Sequence, residues 1–296
     1  MPTFETPTPI VVDVMLTQGD LRIEASDRTD TVVEIRPSDP AKHDDVAAAE
    51  RTTVELKNGR LSIAAPRSWR RYTWINDGSV DVRIELPTGS ELDAQADLGA
   101  LGVSGRLASC RYRTGLGHIA VDACGAAELR SGAGNVDVGS VNGSIAVKTG
   151  SGTVRIERAT GSVQVKNSNG DTDLGAVTGA VTVQNANGGI TIRRAERDAS
   201  VKTATGSIRL GAVREGTVDA HTATGDIAIG VARGSAAYLD VSTGYGHVDS
   251  DLEATTAPAA DARRVRIQAR SSYGDVVVHR VRPDHDPDLI EGNPHV

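Results

Sequence analysis

"GSIAVKTGSGTVRI", residues 143–156, reads Gly-x-Ile-x-Val and then, nine residues on, Gly-x-Val-x-Ile. The spacing continues outward from this stretch. Glycine stands at 134, 143, 152, 161, 170, 179, 188 and 206, and within that run only Arg197 occupies a glycine slot. After one inserted residue near Glu215 the lattice resumes at Gly216, Gly225 and Gly234. A fixed internal period marks a repeat architecture, and it constrains the fold before any single residue does.

Each unit carries two apolar residues separated by a polar one. The pairs are Ile145/Val147, Val154/Ile156, Val163/Val165, Val181/Val183, Ile190/Ile192, Ile208/Leu210 and Ile227/Ile229. Alternation with a period of two specifies short strands with one buried face. The residues between strands are small or polar and end on glycine, which suits corners where another backbone comes close. Alternate units resemble one another more than adjacent ones do: "GSIAVKTGS" matches "GSVQVKNSN" and "GAVTVQNAN", whereas "GTVRIERAT" matches "GGITIRRAE". The true period is therefore about 18 residues, with two strands per coil.

These features predict an all-β chain folded as a parallel β-solenoid, with each strand stacked on its counterpart one coil away. A right-handed coil is expected. About ten coils fit between residues 93 and 281, at roughly 4.8 Å per coil. Residues 1–92 read as a less regular N-terminal β-region that caps the solenoid, and residues 282–296 as a disordered tail. One coil cannot bury enough apolar surface to offset the entropy of ordering it, so stability has to come from neighbours.

Composition agrees with this. Aromatics make up 3% of the chain, with a single Phe, while Gly reaches 32 residues, so the core is aliphatic. The net charge of −7 gives no general reason to bind nucleic acid. No apolar run is long enough for a membrane-spanning helix, and the N-terminus reads as a strand, not as a secretory leader. A cytoplasmic location is expected, with the cell surface, reached by a signal-less route, as the alternative. Cys110 and Cys124 read as two buried thiols, with a disulfide between them as the alternative.

Several rows run along the coils. Thr149, Asn167, Asn185, Thr203 and Thr222 form one ladder, flanked by Ser151, Asn169, Asn187, Thr205 and Thr224. Such rows bind ordered water on a flat face or satisfy corner backbone groups, and the short, half-Asn composition favours the second role. Lys148, Lys166 and Lys202 form a basic column, with Gln184 and His221 in the same slot. A calcium-binding roll needs an Asp in every turn, and these turns lack it, so no metal or other cofactor is expected. The seven histidines lack ligand spacing, and no nucleophile elbow or phosphate loop is present, so the chain does not read as an enzyme.

"SWRRYTWINDG", residues 68–78, departs from the repeats. Trp69, Arg70, Arg71, Tyr72 and Trp74 combine the residue types that anchor binding surfaces, which makes them the candidate partner-binding residues. Packing against the first coil as part of the cap is the alternative reading.

The opening strands "PIVVDVMLTQGDLRIEASDRTDTVVEI", the "LPTGSELDAQADLGALGVSG" junction and the recurrent [TS]-x-x-G-x-[IV]-x-[IV] units resemble a bacterial domain-of-unknown-function family described as β-strand-repeat adhesins. The resemblance covers roughly residues 4–281. It implies a β-solenoid and brings no catalytic residue or cofactor. Two functions follow as expectations: a binding or scaffolding protein for an unidentified protein or polymer, or an exported adhesin or carbohydrate-binding protein.

Overall fold

The computed structural model describes residues 1–65, 78–252 and 263–281. The chain divides into two compact units, Met1–Ile156 and Glu157–Val296. The described residues form 25 strands and one helix.

Unit 1 begins with β1 (Thr3–Glu5), β2 (Val11–Gln18), β3 (Leu21–Ser26), β4 (Asp30–Pro37), α1 (His43–Arg51), β5 (Thr53–Lys57) and β6 (Arg60–Ala64). It continues with β7 (Val80–Pro87), β8 (Glu91–Leu98), β9 (Leu101–Leu116), β10 (Ile119–Ala133), β11 (Val136–Val141) and β12 (Ile145–Ser151). Its coil-forming strands pair in parallel in two sheets. One sheet runs β6–β2–β8, then the second halves of β9 and β10, then β12. The other runs β7–β3, then the first halves of β9 and β10, then β11. β9 and β10 are long because each turns a corner and serves both sheets.

The order of coils in unit 1 is not the order of the chain. The coil made by β2 and β3 is sandwiched between the β8/β9 coil and the β6/β7 coil. The outermost coil, β6/β7, is then closed by antiparallel strands: β5 on β6, β4 on β7 and β1 on β4. Short, antiparallel closing strands protect a sheet edge against pairing with other chains. α1 was not anticipated from the periodicity. It starts with Asp44 and Asp45 and ends at Arg51, matching the charge preference of the two helix ends. Asp45 is buried, and its carboxylate accepts the Ser79 N–H at 2.8 Å and the Asp39 N–H at 3.1 Å.

Strand β13 (Val154–Ala159) crosses the division. Unit 2 continues with β14 (Val163–Asn169), β15 (Thr172–Val177), β16 (Val181–Asn187), β17 (Ile190–Ala195), β18 (Ala199–Thr205), β19 (Ile208–Val213), β20 (Gly216–Thr224) and β21 (Ile227–Val231). It closes with β22 (Ser235–Tyr245), β23 (Val248–Ser250), β24 (Arg263–Tyr273) and β25 (Val276–Arg280). One sheet runs β14–β16–β18–β20–β24–β22, all parallel. The other runs β15–β17–β19–β21–β25–β23. The 18-residue coil is explicit in the register, with Val163 opposite Val181 and Val181 opposite Ala199. Here again sequence order and stacking order differ. The last strand pair, β24/β25, lies inside, and β22/β23 is outermost.

Aliphatic residues dominate the inward positions of both sheets, as the alternation predicts: Val165, Val183, Ile192, Ile208 and Ile229 are each 0% exposed. The glycine lattice splits into two kinds of corner. Gly188 (φ 131°) and Gly206 (φ 145°) belong to the series with a backbone only glycine adopts readily. A Cβ on Gly188 would also lie 2.2 Å from the Gly170 carbonyl oxygen. Gly143, Gly161 and Gly179 of the alternate series do not take positive φ, although Gly216 and Gly234, beyond the inserted residue, do. Arg197 follows Gly179 in that series, and its backbone lies outside the positive-φ region, so a side chain is tolerated at that slot.

Substituting Gly188 by Ala should cost about 3 kcal/mol, from strained backbone and a carbonyl clash together. Gly59, at φ 74° with no atom within 4 Å of a built Cβ, should cost only about 1 kcal/mol on the same change. Urea unfolding of the two variants checks the difference.

Candidate functional site

Trp69, Arg70, Arg71, Tyr72 and Trp74 lie outside the described residues. Their place in the chain is informative all the same, because they belong to the connection from β6 to β7, the two strands of unit 1's outermost coil. Both ends of that connection are held. The Ala65 N–H donates to the Met15 carbonyl at 3.0 Å, and the Ser79 N–H donates to Asp45.

Beside β7 the outer face of unit 1 carries an open groove of about 530 Å³. Register explains its shape. Arg83 is opposite Arg22, Arg22 is opposite Gly102, and Gly102 is opposite Ala120. Two long guanidinium side chains therefore step down to two residues with almost no side chain. Glu24 lines the same groove and pairs with Arg83 at 2.9 Å.

The Thr/Asn ladder is internal. Thr149, Asn167, Asn185, Thr203 and Thr222 are 2–8% exposed. Thr203 Oγ1 donates to the Gly188 carbonyl at 3.2 Å, Thr222 Oγ1 to Gly206 at 3.0 Å, and Asn185 Nδ2 to Gly170 at 3.2 Å. The ladder satisfies the carbonyls that the glycine corners turn inward, so it is no water-ordering face. The flanking row is exposed, with Asn187 Nδ2 donating to Asn169 at 3.0 Å. In unit 2 that row continues from Thr205 through Thr224 to Tyr273 and Tyr245.

The basic column extends further than the lysines alone. In unit 1, Arg113, Arg130 and Lys148 share one row. In unit 2 the row runs Lys166, Gln184, Lys202, His221 and Arg270. Carboxylates in the next row interleave with it. Glu128 pairs with Arg130 at 2.7 Å and Arg111 at 3.2 Å, and Asp219 pairs with Lys202 at 3.2 Å. The Arg111 hydrogen bond holds the Glu128 carboxyl below the usual range. Burial pushes the Cys124 thiol up to about 11 and the Cys110 thiol higher still. Both cysteines stand as buried thiols. Among the described residues no three His, Cys, Asp or Glu side chains are grouped to hold a metal ion. No described helix is long and apolar enough to cross a membrane.

Unit 2 ends differently from unit 1. Among the described residues, β22 pairs only with β24, and β23 only with β25. Tyr238, Tyr245 and Tyr273 are 66%, 71% and 57% exposed. Tyr245 stacks on Tyr273 with ring centroids 4.9 Å apart, and the Arg266 guanidinium lies 5.4 Å from the Tyr238 ring centre. The sequence signal for this cluster was present, but its row is set by a 28-residue offset between β22 and β24 that the 18-residue period hides.

Among solved structures, a "putative adhesin" from Bacteroides fragilis NCTC 9343 is 13% identical, with 94% of this chain and 95% of that one covered and a TM-score of 0.31. A "putative adhesin" from Parabacteroides distasonis ATCC 8503 is 12% identical, with 95% of each chain covered and a TM-score of 0.32. A "putative lipid binding protein" from the same organism is 13% identical, with 95% and 96% covered and a TM-score of 0.30. No curated protein matches the chain. The Toastrack DUF4097 family matches residues 8–286, and the chain belongs to that family.

Proposed function

We propose that this is a non-enzymatic binding or scaffolding protein that engages a protein or polymer partner through Trp69, Arg70, Arg71, Tyr72 and Trp74. The distribution of rings carries the reading. Among the five described aromatic residues, Phe4, Tyr112, Tyr238, Tyr245 and Tyr273, only Tyr112 is fully buried. Trp69, Tyr72 and Trp74 belong to the link within unit 1's outermost coil, and Tyr238, Tyr245 and Tyr273 belong to unit 2's last two coils. Aliphatic side chains build the described core, three of the five described rings are exposed, and Trp, Tyr and Arg are the residues that concentrate binding energy.

The partner recovered from the native cell by the tagged protein should be lost when Arg70 and Arg71 are both changed to Ala, with the melting temperature held within a few degrees. Lys148→Glu/Lys166→Glu/Lys202→Glu should retain it. A folded Arg70/Arg71 variant that still captures the partner overturns the reading.

A further inference from the structure

We infer that the β22 edge of unit 2 pairs with β22 of a second copy of this chain, antiparallel, about a two-fold axis at Val241. This surface is separate from the 69–74 segment and stands or falls without it.

Direction comes first. The Gly274 N–H donates to the Tyr245 carbonyl at 2.9 Å. In a parallel ladder a residue's N–H and C=O point to the same side, and alternate residues point to the opposite side. The register from Ser235↔Arg263 to Tyr245↔Tyr273 keeps one offset throughout. Odd-numbered residues of β22 therefore bond to β24, and Tyr238, Asp240, Ser242 and Gly244 turn their backbone groups to the side on which no described strand pairs. The strand is 11 residues long and holds neither Pro nor Lys, the residues that commonly blunt an edge. Unit 1's outermost coil, by contrast, is closed by β4 and β5.

The choice of partner follows from self-complementarity. A two-fold through Val241 sets Val241 opposite Val241 and Leu239 opposite Thr243. Those positions face inward, since Leu239 and Val241 share rungs with the fully buried Ile267 and Ala269. Pairing would therefore extend the aliphatic layer across the junction and cover the Val248 side chain, now 46% exposed. On the outer face, Tyr238 falls opposite Gly244, so a ring covers a bare stretch of backbone. Asp240 falls opposite Ser242, avoiding the like-charge contact that a two-fold through Asp240 would create.

Charge selects the same register. Arg270 shares a rung with Ser242 and pairs within the chain with Asp240 at 3.5 Å. In the pair, Asp240 of the second copy stands two strands from Arg270 with only Ser242 between. This chain already bridges that span once: Arg193 passes over Gly175 to reach Glu157 at 3.0 Å. Two Asp240 and two Arg270 side chains would form a closed ring of opposite charges about the axis.

Sedimentation of the full-length chain over a concentration series tests this. The wild type should run at twice the chain mass at micromolar concentration. Ser242→Pro removes an outward N–H from each copy and spares every bond to β24, so it should weaken self-association by about 100-fold while melting is unchanged. Asp240→Arg should weaken it by about tenfold or more, and Asp240→Arg/Arg270→Asp should restore it. A wild type that stays at single-chain mass overturns the proposal, as does a folded Ser242→Pro protein that still dimerises. Should Ser242→Pro not fold, the charge exchange decides: Asp240→Arg that associates like the wild type overturns the register, and rescue by the double variant upholds it.

Discussion

A chain lacking residues 181–198 should melt cooperatively within several degrees of the parent, whereas one lacking only residues 181–189 should lose its cooperative transition. The first deletion removes β16 and β17, one whole coil. Ala199 then takes the register of Val181 against Val163, and Gly206 takes the corner of Gly188. Stability in a stacked repeat is a sum over neighbours, so one fewer coil is a modest loss. The second deletion removes one strand and one corner. Every later strand moves to the opposite sheet, Arg197 and then Glu215 land on corners that require positive φ, and Arg194 lands in the buried slot of Asn185. Two strained corners and one buried unpaired cation amount to a loss on the order of 10 kcal/mol, more than unit 2 can spare. Circular dichroism melts of the two deletions check this, and similar curves would refute the two-strand coil.

Val165→Asp should cost about 3–5 kcal/mol at neutral pH, and Gln164→Asp less than about 0.5 kcal/mol. Val165 is 0% exposed and opposite Val183, whereas its neighbour Gln164 is exposed and opposite Thr182. The buried carboxylate finds no partner among aliphatic side chains, so its pKa in the folded protein rises above that in the unfolded chain. A raised carboxyl pKa makes folding most favourable where the group is neutral. The deficit of Val165→Asp should therefore shrink below about pH 4 and grow as pH rises. Urea midpoints at two pH values measure both effects, and equal losses for the two substitutions would reverse the inward and outward assignment.

The repeat was legible because its information is local. Ile145/Val147, Val163/Val165 and Ile190/Ile192 announce a buried face by alternation alone, and all six are buried. The glycine slots announce corners, and Arg197 fills a slot whose backbone lies outside the positive-φ region. What escaped was the order of coils at each edge. "RRVRIQARSSYGDVVVHRV" holds the last strand pair in the sequence, but it stacks inside "SAAYLDVSTGY". Alternation tells a strand which face to bury and is silent on which strand lies beside it. The antiparallel closure by β4 and β5 escaped for the same reason. α1 was missed because "HDDVAAAER" spans only nine residues and lacks an apolar stripe, although its terminal charges and alanine run were the available signal. The Trp/Arg segment at 69–74 was visible by composition, since rings are rare elsewhere in the chain.

The inside position of β24 and β25 has a consequence during synthesis. Residues 235–250 leave the ribosome before residues 263–280, yet they have no strand to pair with until those residues arrive. At about 5–20 residues per second, the gap from residue 251 to residue 281 lasts roughly 2–6 seconds. Through that interval the nascent chain presents the β20/β21 coil as an open edge, with β22 waiting beside it as a competitor for the place β24 will take. A ladder of β22 on β20 would hold the chain in a wrong order that must be undone before the last coil can enter. Slowing translation across residues 251–281 should therefore lower the yield of correctly stacked protein, read as the soluble fraction of the full chain.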